Sequence, residues 1–311
     1  MPPPVAPGHG ATPDLTSGSG WSAPASGERV SSVDRVRRPV LTSAILAALA
    51  SALAATLAAT GLPAGADVAG ATATAPPGTP TARSFAGTPT VGPLFPPGSA
   101  THTCTASVVA SAVGDLLITA THCIAGDAKG YTFSPGYHDG VAPYGSWTVV
   151  GAYASPQWVR RRSPRFDVAF LVVAPQRRRG RLRQIQAVTG ADRLGTAPAP
   201  GTRVTVPAYP VGRDDRPLTC TARVTERAGY PAFDCTPYVD GTSGAPWLWR
   251  GPRGWTVVGV IGGLYQGGCE PWTSYSAPFG PDTLRTYAAT VRGARTTTFP
   301  GPEGDGCTTG L

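Results

Sequence analysis

Residues 117–123 are LITATHC, an apolar run that leads through small residues to a histidine and a cysteine. The length and β-branched content of the run predict a strand. His122 therefore lies at a strand end, where Cys123 can fix the following turn. A histidine in such a place can take a proton from a nucleophile and later return it to a leaving group. His122 is the candidate general base and acid.

Two further segments supply partners for this histidine. Residues 165–171, RFDVAFL, place Asp167 before a strongly apolar strand, and residues 238–247, YVDGTSGAPW, place Ser243 in a glycine-flanked turn before another strand. A serine hydroxyl becomes nucleophilic when a base removes its proton, and a carboxylate fixes the tautomer of that base. Glycines leave backbone N–H groups uncovered, so we assign those of Gly241 and Ser243 to the oxyanion hole.

Each of these signals alone is weak, since histidines at strand ends and Gly-x-Ser-Gly turns arise in many structural settings. The combination is specific because all three residues lie at predicted strand ends in the order His, Asp, Ser. The remaining apolar runs are also short and bounded by turn residues, and only residues 283–292 have helical periodicity. The sequence therefore predicts an all-β barrel or sandwich with one C-terminal helix.

Four segments together resemble the chymotrypsin-like (trypsin-like) serine proteases, in particular the bacterial secreted branch that is similar to glutamyl endopeptidases. They are residues 104–109 (CTASVV), 119–123 (TATHC), 166–170 (FDVAF) and 240–247 (DGTSGAPW). The resemblance implies two packed antiparallel six-stranded β-barrels with the catalytic groups at their junction. It also implies a secreted, monomeric serine endopeptidase that hydrolyses polypeptides through an acyl-enzyme on Ser243 and needs neither cofactor nor metal.

The six cysteines allow 15 pairings. The resemblance implies a Cys104–Cys123 disulfide beside the histidine. It also implies that Cys220–Cys235 closes the loop before the nucleophile, which leaves Cys269–Cys307.

The substrate pocket is predicted by alignment on Ser243. The pocket base falls near Pro237, with Asp240 close by, and Ile261, Gly262 and Gly263 are expected to form the wall. Because Pro237 carries no carboxylate, cleavage after Arg or Lys is not favoured, and the preferred residue stays open.

The first 90 residues are expected to lie outside the folded domain. Residues 1–66 have the order of a signal region, with a polar, basic start, an apolar stretch over 40–59 and a small-residue cleavage site near 66. The composition of residues 67–90 predicts a disordered linker or propeptide. Residues 91–311 are expected to form the protease domain. We expect a secreted protein, with membrane attachment only if the signal region stays uncleaved as an anchor.

Other classes of function fit the sequence less well. The net charge is +8, but Lys129 is the only lysine and no nucleic-acid motif accompanies the arginines, so we expect no nucleic-acid partner. An α/β-hydrolase esterase would have its histidine after the serine. The four histidines, which are His9, His102, His122 and His138, are too scattered for a metal cluster. A non-catalytic binding protein on the same fold remains the main alternative, followed by a serine esterase.

Overall fold

The chain folds into sixteen strands and three α-helices over residues 74–212, 215–304 and 306–307, which the computed structural model describes. The expected signal region and its apolar stretch lie outside these residues. In the described part, no helix is both long and apolar enough to cross a bilayer. In chain order the strands are β1 (Arg83–Ser84), β2 (Val91–Phe95), β3 (Cys104–Val108), β4 (Leu116–Thr119), β5 (Thr132–Phe133), β6 (Trp147–Ala154), β7 (Ala169–Val173), β8 (Gln176–Arg178), β9 (Arg181–Arg183), β10 (Arg193–Leu194), β11 (Arg203–Ala208), β12 (Leu218–Arg227), β13 (Tyr230–Asp234), β14 (Pro246–Gly251), β15 (Gly254–Val260) and β16 (Thr273–Tyr275). The helices are α1 (Pro156–Arg161), α2 (Gln186–Thr189) and α3 (Pro281–Val291).

The first lobe is a closed six-stranded barrel in the order β2-β3-β4-β7-β6-β5. Its interior holds large apolar side chains without solvent exposure, among them Phe133, Trp147 and Leu171. The antiparallel register of β4 and β7 pairs Thr119 with Ala169. The chain therefore leaves β4 toward His122 at the same barrel edge where it enters β7.

The second lobe is a single curled sheet in the order β10-β15-β14-β11-β12-β13-β16, with β1 attached to β12. Its core contains Phe233 and Trp247, whose rings are tilted against each other with their centroids 5.8 Å apart. The chain just after β15 approaches β16, the strand at the other side of the sheet, where the backbone N–H of Gly262 donates to the Tyr275 carbonyl at 3.0 Å. The all-β fold with two lobes and a C-terminal helix is thus confirmed. The first lobe is the expected six-stranded barrel, whereas the second is an eight-stranded sheet that includes β1 and in which β10 pairs parallel with β15.

Part of the segment that we expected to be a disordered linker is ordered. Residues 83–84 form β1, which pairs antiparallel with β12. On either side, the Ala82 N–H donates to the Thr236 carbonyl at 2.7 Å and the Phe85 N–H to the Pro217 carbonyl at 3.1 Å. The prediction of disorder over residues 67–90 is therefore wrong for residues 82–85. Composition alone missed these long-range hydrogen bonds, which satisfy the backbone of a segment with few apolar side chains.

Three disulfides join the six cysteines. They are Cys104–Cys123 in the first lobe, Cys220–Cys235 in the second, and Cys269–Cys307, which ties the C-terminal residues to the loop before β16. These are the pairs proposed from the sequence.

Candidate active site

The carboxylate of Asp167 lies completely buried where the two lobes meet. A short 3₁₀ turn over Pro164–Phe166 delivers it to the start of β7, and a second one over Thr121–Cys123 carries His122 beyond β4. Asp167 Oδ2 accepts a hydrogen bond from His122 Nδ1 at 2.7 Å, and Oδ1 accepts one from the His122 backbone N–H at 2.9 Å. A third bond comes from the backbone N–H of Gly263 in the second lobe, at 2.8 Å to Oδ2.

These bonds fix the orientation of the imidazole ring. Because a carboxylate oxygen can only accept from Nδ1, that nitrogen carries the proton and Nε2 is left as the acceptor. The same carboxylate accepts hydrogen bonds from the backbone N–H and from the ring of His122. His122 thus presents a basic nitrogen to the cleft in a single tautomer.

The loop that carries Ser243 is shaped by close backbone contacts. Gly241 has φ +89°, and a Cβ atom on it would lie 2.0 Å from the backbone nitrogen of Val211, so only glycine fits there. The Gly241 carbonyl accepts a hydrogen bond from Thr105 Oγ1 at 3.0 Å, and the Ser243 carbonyl accepts one from the Thr105 N–H at 2.8 Å. A residue of the first lobe therefore holds the serine loop of the second.

Two backbone N–H groups of this loop find no acceptor among the residues that the structure describes. Among the described residues, neither the N–H of Gly241 nor that of Ser243 donates a hydrogen bond, whereas the neighbouring N–H of Gly244 donates to the Ile261 carbonyl at 2.7 Å. These two N–H groups lie one residue apart, and one belongs to the serine itself. Such a pair is suited to binding an oxyanion.

Ser243 and His122 line one cleft with a volume of about 420 Å³. Of the residues predicted for the substrate pocket, Asp240 and Ile261 line this cleft, whereas Pro237, Gly262 and Gly263 do not. The two glycines pack behind the site instead: a Cβ on Gly262 would lie 3.0 Å from Asp167 Oδ2. The described Ser243 hydroxyl makes no hydrogen bond to the imidazole, and such bonds are often long in proteins without substrate.

Similar solved structures have this architecture. The protease Anisep from Arthrobacter nicotinovorans superimposes with a TM-score of 0.58 and 24% identity, over 68% of this chain and 100% of its own. The thermostable serine protease AL20 from an extremophilic microorganism gives 0.54 and 23%, over 65% of this chain and 98% of its own. A Glu endopeptidase gives 0.53 and 16%, over 69% and 98%. The chain has the chymotrypsin-like serine protease fold.

The likeness lies in the fold and not in overall sequence. No protein-family model matches the chain, and a search of curated proteins finds no similar sequence. Within this chymotrypsin-like fold, the site residues stand at the junction of the two lobes. Cys104, His122 and Cys123 also bring three potential metal-ligating atoms together, but the two sulfurs are joined in a disulfide.

The cleft of this chymotrypsin-like protein is acidic. The side chains of Asp240 and Glu270 are the carboxylates that line it, and no Arg or Lys occurs among its described lining residues. Glu270 belongs to the turn before β16, and its carboxylate has no hydrogen-bond or ion-pair partner among the described residues. Sequence reasoning missed Glu270, because alignment on Ser243 placed the pocket base at Pro237.

Proposed function

We propose that this chain is a secreted serine endopeptidase with His122, Asp167 and Ser243 as its catalytic residues. One observation carries the proposal: the 2.7 Å bond from His122 Nδ1 to a buried carboxylate leaves Nε2 free in the cleft that also holds Ser243. This arrangement has the parts that nucleophilic catalysis by serine needs.

The reaction begins when His122 Nε2 takes the proton of the Ser243 hydroxyl. Oγ attacks the peptide carbonyl carbon, and the oxygen that becomes negative accepts hydrogen bonds from the free N–H groups of Gly241 and Ser243. The imidazolium, stabilised by Asp167, then protonates the leaving amine as the C–N bond breaks. Water enters, His122 removes its proton, and hydrolysis of the acyl ester restores the serine.

The alternative of a non-catalytic binding protein explains less of the geometry. A binding surface needs neither an imidazole held in one tautomer nor two unpaired N–H groups beside a hydroxyl. A serine esterase uses the same catalytic groups, so the hydrolysis of casein is the measurement that distinguishes the two. Three disulfides support an extracellular location, in agreement with the signal region expected over residues 1–66.

Labelling with a fluorophosphonate tests the proposal. We expect the purified protein to be modified on Ser243, as shown by peptide mass spectrometry, and to hydrolyse casein. Both signals should vanish in Ser243→Ala and His122→Ala. His138→Ala is the matched control, because His138 also pairs with an aspartate, Asp139, at 3.1 Å but lies outside the cleft. A folded protein that takes no label and cleaves no polypeptide would exclude the enzyme and favour the binding protein.

A further inference from the structure

After α3, the chain passes back across the molecule. Residues 297–304 together with 306–307, here called the C-terminal strap, first join the barrel of the first lobe. The N–H of Thr297 donates to the Ala152 carbonyl at 2.8 Å, and Thr297 Oγ1 accepts from the Ala154 N–H at 3.2 Å. Phe299 follows, only 3% exposed, in the hydrophobic core of that lobe.

The strap next pairs with the chain just after the candidate base. The N–H of Phe299 donates to the Gly126 carbonyl at 2.6 Å, and the Gly126 N–H donates to the Phe299 carbonyl at 3.2 Å. Gly126 follows the short turn that holds His122. One end of the strap is therefore fixed beside the active-site histidine by a two-bond bridge and a buried aromatic ring.

The middle of the strap is held from both lobes. Arg162, at the end of α1 in the first lobe, donates to the Gly301 carbonyl and forms an ion pair with Glu303 at 3.4 Å. Gln266, in the second lobe, donates from Nε2 to the Gly304 carbonyl at 2.9 Å and to the Glu303 carbonyl at 3.3 Å. The Cys269–Cys307 disulfide then closes the far end covalently.

Between these anchors, Pro302 lines the same cleft as His122 and Ser243. The strap thus forms part of the wall of the cleft, which Ala125 and Gln266 also line. Proline fixes its own φ angle, and a disulfide opens far more slowly than a loop moves. A substrate must therefore fit the space that the strap leaves.

We propose that the C-terminal strap is a specificity-determining wall that admits slender, unfolded polypeptide and excludes bulky, folded chains. The proposal rests on the endopeptidase function proposed above. Pro302 limits the width of the cleft where the strap lines it, and the disulfide with the Arg162 and Gln266 contacts keeps that width constant. Releasing the strap should widen the range of accepted substrates without changing the chemistry at Ser243.

The test presents one cleavage sequence in two forms, as an acetyl-capped hexapeptide and grafted into an exposed loop of a folded carrier protein. The sequence comes from a peptide-library profile of the wild type. The full-length double variant Cys269→Ser/Cys307→Ser should cut the grafted loop with kcat/KM at least tenfold higher. Its kcat/KM for the hexapeptide should stay within threefold of the wild-type value. Cys220→Ser/Cys235→Ser is the matched control, since it removes a disulfide that does not hold the strap, and its selectivity should equal that of the wild type.

The polar contacts could hold the strap in place after the disulfide is removed, so a second variant removes the strap itself. Removal of residues 300–311 in the Cys269→Ser background retains the Phe299 anchor and deletes the wall. Fluorophosphonate titration of Ser243 confirms that each variant has an intact site. Unchanged selectivity in both variants, with full labelling, would overturn the strap proposal alone. A wild type that neither labels nor cleaves would instead overturn the proposed function.

Discussion

Gly244 and Thr119 approach so closely that a Cβ atom on Gly244 would lie 2.1 Å from the Thr119 hydroxyl oxygen. The same Cβ would be 2.3 Å from the Thr105 carbonyl oxygen. Both threonines belong to the barrel of the first lobe, whereas Gly244 follows the candidate nucleophile in the second. The position of the serine backbone is therefore set by contact with the lobe that carries the histidine.

We expect Gly244→Ala to remove most of the activity and to lower the free energy of unfolding by about 3 kcal/mol. The residue has φ +78° and a filled environment, so the methyl group brings both backbone strain and overlap. Gly180→Ala is the control: Gly180 has φ +79° but open space around it, so strain alone should cost about 1 kcal/mol. Urea unfolding and fluorophosphonate titration measure both effects. Equal losses in the two variants would mean that the contact with Thr119 is unimportant.

We predict that Asp167→Asn lowers kcat by about 10⁴-fold, while KM changes little. The amide NH₂ of asparagine cannot accept the hydrogen bonds that Asp167 now receives, so the imidazole loses its fixed tautomer. Steady-state kinetics on a peptide substrate give both constants. Asp139→Asn, which alters the surface pair with His138, should leave kcat unchanged. A fall of less than tenfold in Asp167→Asn would remove this carboxylate from the mechanism.

Asp192→Asn should stabilise the protein at neutral pH. Burial raises the pKa of Asp192 despite a hydrogen bond from Thr90 Oγ1 at 2.8 Å. A raised folded-state pKa means that the folded state binds the proton more tightly than the unfolded state does. The resulting stability is present below the unfolded pKa, about 3.9, and is lost as pH rises through the folded value. Asparagine still accepts from Thr90 and carries no charge.

The melting temperature of Asp192→Asn should therefore exceed that of the wild type by roughly 2–4 °C at pH 7. The difference should shrink as the pH is lowered toward 3. Asp127→Asn serves as the comparison, because hydrogen bonds from Lys129 lower the pKa of exposed Asp127, so its neutralisation should not stabilise the fold. Thermal melts across this pH range decide the matter, and a destabilised Asp192→Asn at pH 7 would contradict the argument.

The carboxylates of Asp240 and Glu270, which line the cleft, predict that a glutamate side chain of a substrate binds poorly there. We therefore expect kcat/KM for peptides with arginine at the cleavage site to exceed that for glutamate. This revises the expectation from Pro237, which does not line the cleft, that cleavage after Arg or Lys is not favoured. Glu270→Gln should narrow this ratio about tenfold, which corresponds to one partly screened charge pair. Glu226→Gln, an exposed change in β12 outside the cleft, should leave it unaltered. A ratio that Glu270→Gln does not alter would refute the assignment.

Local sequence pattern was sufficient where neighbouring residues determine the structure. The run LITATHC contains β4 and the turn at His122, and the helical periodicity over residues 283–292 corresponds to α3, which begins at Pro281. The proximity of His122 and Asp167 was also predictable. His122 follows an apolar strand and Asp167 precedes one, in a pattern that resembles a known family.

Other features depend on contacts between segments distant in sequence. Residues 82–85 have the composition of a linker, yet β12 and Thr236 satisfy their backbone. Pro302 enters the cleft because the Cys269–Cys307 disulfide and the bonds to Arg162 and Gln266 fix the strap in space. Glu270 lies in a separate turn before β16 that also reaches the cleft. Composition and periodicity describe single segments, so they contain no information about where such loops meet.

The three bonds of Asp167 have a consequence for biosynthesis. The carboxylate receives its partners from both halves of the molecule, and Thr105 holds the serine loop from the opposite half. A half-finished chain, with only its leading barrel folded, has a histidine and an aspartate but no positioned hydroxyl. We therefore expect the proposed hydrolytic activity to appear only after both lobes have folded around the site.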